Sequence, residues 1–142
     1  MDNTGRILFS VRLWHPFFSV DEITKQIQKE PSTSQSAGEN LVTPKGRKIN
    51  RINKETYVVY DLPINSYDLA DAIRVANNFL FENIDFFNKL KQTGGRCDYF
   101  ITIDQQKGNS FPFEITSELF KDCSKLDISL GVEIYPPQII KR

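Results

Sequence analysis

Apolar residues recur along this chain in two periods, and the switches between them mark its elements. In RILFSVRLWH, Ile7, Phe9, Val11 and Leu13 alternate with Leu8, Ser10, Arg12 and Trp14, the period of a strand with one buried face. His15-Pro16 ends that run, because proline cannot continue a ladder. Ser19 and Glu22 then form a capping box, with Phe18 and Ile23 as its hydrophobic staple, so a short helix starts near Val20 and stops before Pro31. The polar stretch EPSTSQSAGENLVTPKGRKIN reads as an exposed loop. Beyond it, Asn53-Lys54 turns an expected hairpin with arms near 48–52 and 56–62, the second arm being β-branched and aromatic. Asn65 or Ser66 caps the next helix. Leu69, Ile73, Ala76, Leu80, Ile84, Phe87 and Leu90 recur at steps of three and four, which predicts one helix of six turns, about 40 Å long at 1.5 Å per residue. Gly94 is placed to stop it in a left-handed cap.

After that cap Cys97, Tyr99, Ile101 and Ile103 alternate with Arg96, Asp98, Phe100, Thr102 and Asp104 in a second half-buried strand. QQKGNS is a turn, and FPFEI is a short extended piece with an edge proline. Thr116 caps a short helix through SELFKDCSKL. Ile128, Leu130, Val132 and Ile134 form a last strand, ended by Pro136-Pro137 before a QIIKR tail. The order predicts an α+β two-layer sandwich: a ferredoxin-like βαββαβ core with an added short helix and strand, and a mostly antiparallel sheet. At 142 residues the chain is expected to form a single domain, 1–142, long enough to bury roughly 70% of its unfolded surface. Eleven phenylalanines make that core aromatic-rich.

Charge narrows the function classes. Eighteen basic residues cancel eighteen acidic ones, whereas a dedicated nucleic-acid binder carries a basic excess. The start is not a signal peptide, and no apolar run approaches the ~18 residues of a membrane span, so no membrane partner is expected. Cys97 and Cys123 lie far apart and form no CxxC pair, so the expected setting is the cytoplasm with both thiols reduced.

Little in the pattern looks like chemistry. A phosphate loop precedes a helix N-terminus, whereas Gly94-Gly95 follows a helix, at the negative end of its dipole. Cys97 shares the parity of Tyr99 and Ile101 and packs inward, and Asp122 opposes thiolate formation at Cys123. His15 has no nucleophile elbow beside it and reads as a surface or hydrogen-bonded residue. No metal-ligand spacing occurs, and no catalytic residue, metal or cofactor is assigned. The sharpest charge feature is PKGRKINRINK, where Lys45, Arg47, Lys48, Arg51 and Lys54 have no acid between them; it reads as a solvated hairpin edge or a grip for an anionic surface. The outward positions Arg12, Trp14, Tyr57 or Tyr60, Phe100 and Tyr135 have the composition of a protein contact patch.

Taken together, the landmarks resemble a bacterial family known as domain of unknown function 4279. Those landmarks are VDEITKQIQKEPSTSQSAGE, TGGRCDYFITI and FEITSELFKDCSKLDISLGVEIY, with Ile23, Pro31, Gly38, Gly95, Leu119, Ile134 and Tyr135 as markers. The resemblance covers nearly the whole chain. It departs at the middle strand, where the family often carries a tryptophan and this chain has Tyr57 or Tyr60. It implies no catalytic residues. Because some members look like immunity proteins encoded beside toxins, it implies a non-enzymatic protein that binds a cognate toxin in contact-dependent inhibition. The expected partner-binding residues are Arg12, Trp14, Lys45, Arg47, Lys48, Arg51, Tyr60, Phe100 and Tyr135. The alternative is a nucleic-acid-binding accessory protein that uses the basic hairpin 45–54.

Overall fold

The structure, a computed structural model, describes residues 6–43, 45–64, 68–105 and 112–136. The Asn65/Ser66 cap, the turn over 106–110 and the tail after 136 lie outside the described residues. The elements run β1 (Arg6–His15), α1 (Val20–Ile27), β2 (Thr33–Gln35), β3 (Asn40–Val42), β4 (Lys48–Ile52), β5 (Thr56–Leu62), α2 (Leu69–Glu82), α3 (Ile84–Gln92), β6 (Arg96–Asp104), α4 (Ser117–Lys125) and β7 (Ser129–Tyr135). The fold is α+β, with a mostly antiparallel five-stranded sheet in the order β2-β5-β1-β6-β7 and a two-stranded sheet of β3 and β4. β1 and β2, linked through α1, have β5 between them; β5 and β6, linked through α2 and α3, have β1 between them. That is the split βαβ order of a ferredoxin-like unit. The added pair is α4 and β7, and β7 runs parallel to β6 in unbroken register from Asp98↔Ser129 to Asp104↔Tyr135. A parallel neighbour needs a crossover, which α4 supplies. Among the described residues no helix is long and apolar enough to cross a membrane.

Two expectations are corrected. The first is the hairpin at Asn53-Lys54. β4 pairs instead with the preceding β3, Asn40↔Ile52 and Val42↔Lys48. The cause is a tight turn at Gly46, whose φ of 83° suits glycine. There Gly46 N–H donates to Thr43 O (2.8 Å) and Thr43 N–H to Arg47 O (2.9 Å). Asn53 is a buried corner rather than a turn, its Nδ2 donating to Ser36 O at 3.2 Å. On the side away from β1, β5 pairs antiparallel with β2, cut from the stretch expected to be loop, with Thr33↔Val59 and Gln35↔Tyr57 in register.

The second is the six-turn helix. Its 14-residue first part, α2, and 9-residue second part, α3, are separated at Asn83, where ψ is 28°. Leu80, Phe87 and Leu90 are buried and Ile84 half-buried, so the apolar spacing runs on across the break and hides it. The helix stops are as expected. Gly94, at φ 103°, ends α3, and Gly95 N–H reaches back to Leu90 O at 2.8 Å in a Schellman closure. Ser19 and Thr116 cap α1 and α4 by accepting from Glu22 N and Leu119 N.

The chain divides into two compact units. One comprises residues 1–10, 62–82 and 98–142; its core holds Phe9, Leu69, Ile73, Leu80, Tyr99, Ile101 and Leu119. Within it Phe9 meets Tyr99 edge-on at 5.1 Å, and the Tyr99 hydroxyl donates to buried Asn77 Oδ1 at 2.7 Å. The other comprises residues 11–61 and 83–97, with Val11, Leu13, Phe18, Ile23, Val58, Tyr60, Phe87 and Leu90 in its core. Seven of the eighteen Lys and Arg and eleven of the eighteen Asp and Glu fall in the first unit, a formal −4; the second holds the remaining eleven and seven, +4.

Candidate protein-binding surface

The second unit presents an aromatic and arginine cluster that strand alternation builds. In β1 the buried row includes Leu13 and His15, so Arg12 and Trp14 stand on the opposite face, half-buried. In β5, Thr56, Val58 and Tyr60 are buried and Tyr57 is outward. In β6, Cys97 is inward and Arg96 exposed. Trp14 and Tyr57 stack with centroids 5.2 Å apart and planes tilted by 35°. Two guanidinium groups lie over the indole, with Arg96 Cζ 4.5 Å and Arg12 Cζ 5.1 Å from its centroid. Glu55 holds Arg96 in a fork: Nη1 donates to Oε2 at 3.2 Å and Nη2 to Oε1 at 3.3 Å. The ion pair is solvent-exposed and worth at most about 1 kcal/mol, so its effect is orientation, holding the flat cation on the ring. Each cation–π contact adds about 0.5–1 kcal/mol at such exposure. These contacts favour one arrangement of the cluster over others.

The nine candidate contact residues do not form one patch. Arg12 and Trp14 are together. Lys45, Arg47, Lys48 and Arg51 are exposed on the β3–β4 hairpin, in a different sheet. Tyr60 is corrected: it is 0% exposed, and as an even residue of β5 it shares the buried row of Val58. Burial pushes its hydroxyl up to about 12, with the nearby Thr24 side chain opposing the rise and the Glu30 charge adding to it. Tyr57 is the outward member of that pair. Phe100 and Tyr135 lie in the first unit, on the same face of β6 and β7, where Gly131 stands opposite Phe100. The Tyr135 hydroxyl is pushed up by its hydrogen bond to Glu133 and by that carboxylate's charge. Glu55 and the Arg96–Trp14 contact were not anticipated, although the parity of Arg96 with Asp98 and Phe100 marks it as outward.

Other reactive groups are accounted for by structure. His15 is buried, its Nδ1 accepting from Phe17 N (3.1 Å) and Phe18 N (2.9 Å) and its Nε2 2.7 Å from Thr93 Oγ1. Both cysteines are buried and outside any disulfide; burial pushes the Cys123 thiol up, an Asn77 hydrogen bond opposes this, and Asp122 adds to it. Among the described residues no three His, Cys, Asp or Glu side chains converge as metal ligands. A polar cleft of about 250 Å³ lies beside α2 and α4, lined by Arg74, Asn77, Glu118 and Asp122. A second, of about 170 Å³, is lined by Phe18, Phe86, Lys25 and Lys89. Both fall below the ~300–1,000 Å³ of a typical ligand pocket.

No family model matches this chain, and neither a curated protein nor a solved structure is similar to it.

Proposed function

We propose that this protein is a binding module that captures another protein on the Trp14 face, and that it acts in the cytosol as an immunity protein neutralising a cognate toxin. The observation that carries the binding reading is the half-buried Trp14 with the Arg12 and Arg96 guanidinium groups over its ring and Tyr57 against it. Tryptophan, tyrosine and arginine are the residues that carry interface energy, and here they stand in contact with one another. The resemblance to domain-of-unknown-function family 4279 supports the immunity form of the reading.

The test is to identify the adjacent gene, which this reading expects to encode a toxin, and to co-purify the chain with its product. A stoichiometric complex is expected, and Trp14→Ala weakens it at least about 30-fold, as truncation of a hot-spot residue does. Absence of any stoichiometric protein partner, or a Trp14→Ala complex as tight as the parent, refutes the reading. Binding to nucleic acid with a salt slope that flattens when Arg47, Lys48 and Arg51 are replaced would favour the basic hairpin as the working surface instead.

A further inference from the structure

β7 ends the five-stranded sheet, and both its backbone and its side chains are left incomplete along the outer edge. Gln105 N–H donates to Tyr135 O at 3.0 Å, so the odd residues of β7 turn their backbone groups toward β6. Backbone groups alternate sides along a strand. The N–H and C=O of Leu130, Val132 and Ile134 therefore point away from β6, where no further strand is present among the described residues. The side chains of these three residues stand in register with Tyr99, Ile101 and Ile103, which are fully buried. Yet Val132 is 43% exposed and Ile134 49%. The buried apolar row thus runs to the edge and stops there unfinished.

Proteins commonly protect such an edge with lysine, proline or a bulge. SLGVEIY contains neither lysine nor proline, and its register with β6 is unbroken. A strand that completes this edge needs apolar side chains on the side of Val132 and small or polar ones on the other. β7 itself meets that description.

We propose that β7 is the seam of a homodimer, in which two copies pair antiparallel about a two-fold axis through Val132. This register places Val132 opposite Val132 of the second copy and Leu130 opposite its Ile134, which joins the two apolar rows. All these pairs use the outward-pointing backbone groups, so each exchanges hydrogen bonds with its mate. On the other face Gly131 meets Glu133 and Ser129 meets Tyr135, so the two Glu133 carboxylates do not stand directly opposed. A two-fold axis makes the contact closed and self-complementary, and it ends growth at two copies.

Sedimentation equilibrium on the full chain over a concentration series tests this. The wild-type chain is expected to show a monomer–dimer equilibrium. Val132→Lys and Val132→Glu each weaken it about a hundredfold, by placing like charges opposite one another at the axis. An equimolar mixture of these two variants recovers association, because each lysine then faces a glutamate. Val75→Lys, at an exposed position of α2, leaves it unchanged. If circular dichroism shows that a Val132 variant is unfolded, Ile134→Lys must produce the same loss. A wild-type chain that is monomeric throughout, a Val132 variant that still dimerises, or a mixture that stays monomeric overturns the proposal.

Discussion

Replacing His15 with phenylalanine isolates one hydrogen-bond junction in the second unit. The imidazole is 0% exposed and lies flat on Phe18, centroids 3.7 Å apart with 4° between the planes. Its Nδ1 accepts two backbone N–H groups, so in the neutral ring the proton sits on Nε2 and is donated to Thr93 Oγ1. The Thr93 hydroxyl then donates to Lys89 O at 2.8 Å. Phenylalanine keeps the stack and the volume but accepts nothing, which leaves Phe17 N–H and Phe18 N–H without an acceptor. At about 1–3 kcal/mol for each buried orphaned donor, with Phe17 only part-buried, the expected loss is about 3 kcal/mol. Urea titration reads this as a lower midpoint at unchanged slope. The pH dependence separates the junction from generic packing. Burial lowers the His15 pKa below its ordinary value of 6.5, with Glu22 opposing, so the fold favours the neutral ring. The unfolded chain takes up the proton first as the pH falls. The stabilisation is therefore complete above 6.5 and drains away below it, at up to about 1.4 kcal/mol per pH unit. Because this is the chain's single histidine, and carboxylates titrate mostly below pH ~5, the window just under 6.5 belongs to it alone. Wild-type stability should fall across that window while His15→Phe stays flat. Parallel profiles, or a variant as stable as wild type at neutral pH, refute the reasoning.

Gly95→Ala would place a Cβ 2.5 Å from Leu90 Cδ2 and 2.8 Å from His15 Cδ2, so thermal or urea unfolding should show a loss of about 1–3 kcal/mol. Tyr99→Phe removes the hydroxyl that donates to buried Asn77 Oδ1 and should cost about 1–3 kcal/mol in the same assay; a neutral result would mean that the amide finds another donor. Trp14 is the chain's one tryptophan, so Arg96→Ala should shift its emission toward the solvent-exposed value while far-UV circular dichroism stays unchanged. Unchanged emission would mean that the guanidinium does not shield the indole.

Where the sequence pattern has a direct physical cause, the structure follows it. Period-2 alternation in β1 and β6 reports burial on one face, and both burial patterns agree residue by residue with the expected rows. Ser19, Thr116 and Gly94 act through local geometry, so their capping roles are legible from a few residues. The errors arise where two local readings compete and tertiary pairing decides. Lys48–Ile52 stands between two strands of suitable composition, and the Gly46 turn commits it to the earlier one. β2 is three exposed residues with no apolar signal; it is a strand only because β5 offers it a ladder. Tyr60 and Tyr57 are equally good strand formers, and only the parity of Thr56 and Val58 assigns Tyr60 to the core.

Charge shows the same limit at the level of function. A neutral total argues against a charged partner only if the charges are evenly spread, and here they are not: the two units carry a formal +4 and −4. The Debye length at physiological salt is about 8 Å, so a partner docking on the Trp14 face responds chiefly to the charges beside it. The charges placed at Trp14 are Arg12, Arg96 and the Glu55 that pairs with Arg96, a formal +1, which favours an acidic partner surface only weakly. Arg96 narrows the choice further. Glu55 already occupies its fork, so an incoming carboxylate gains little there unless it displaces Glu55. On the proposed reading, the specific energy of this face would therefore come from covering Trp14 and Tyr57, and the residual charge of Arg12 would act mainly on the rate and orientation of approach.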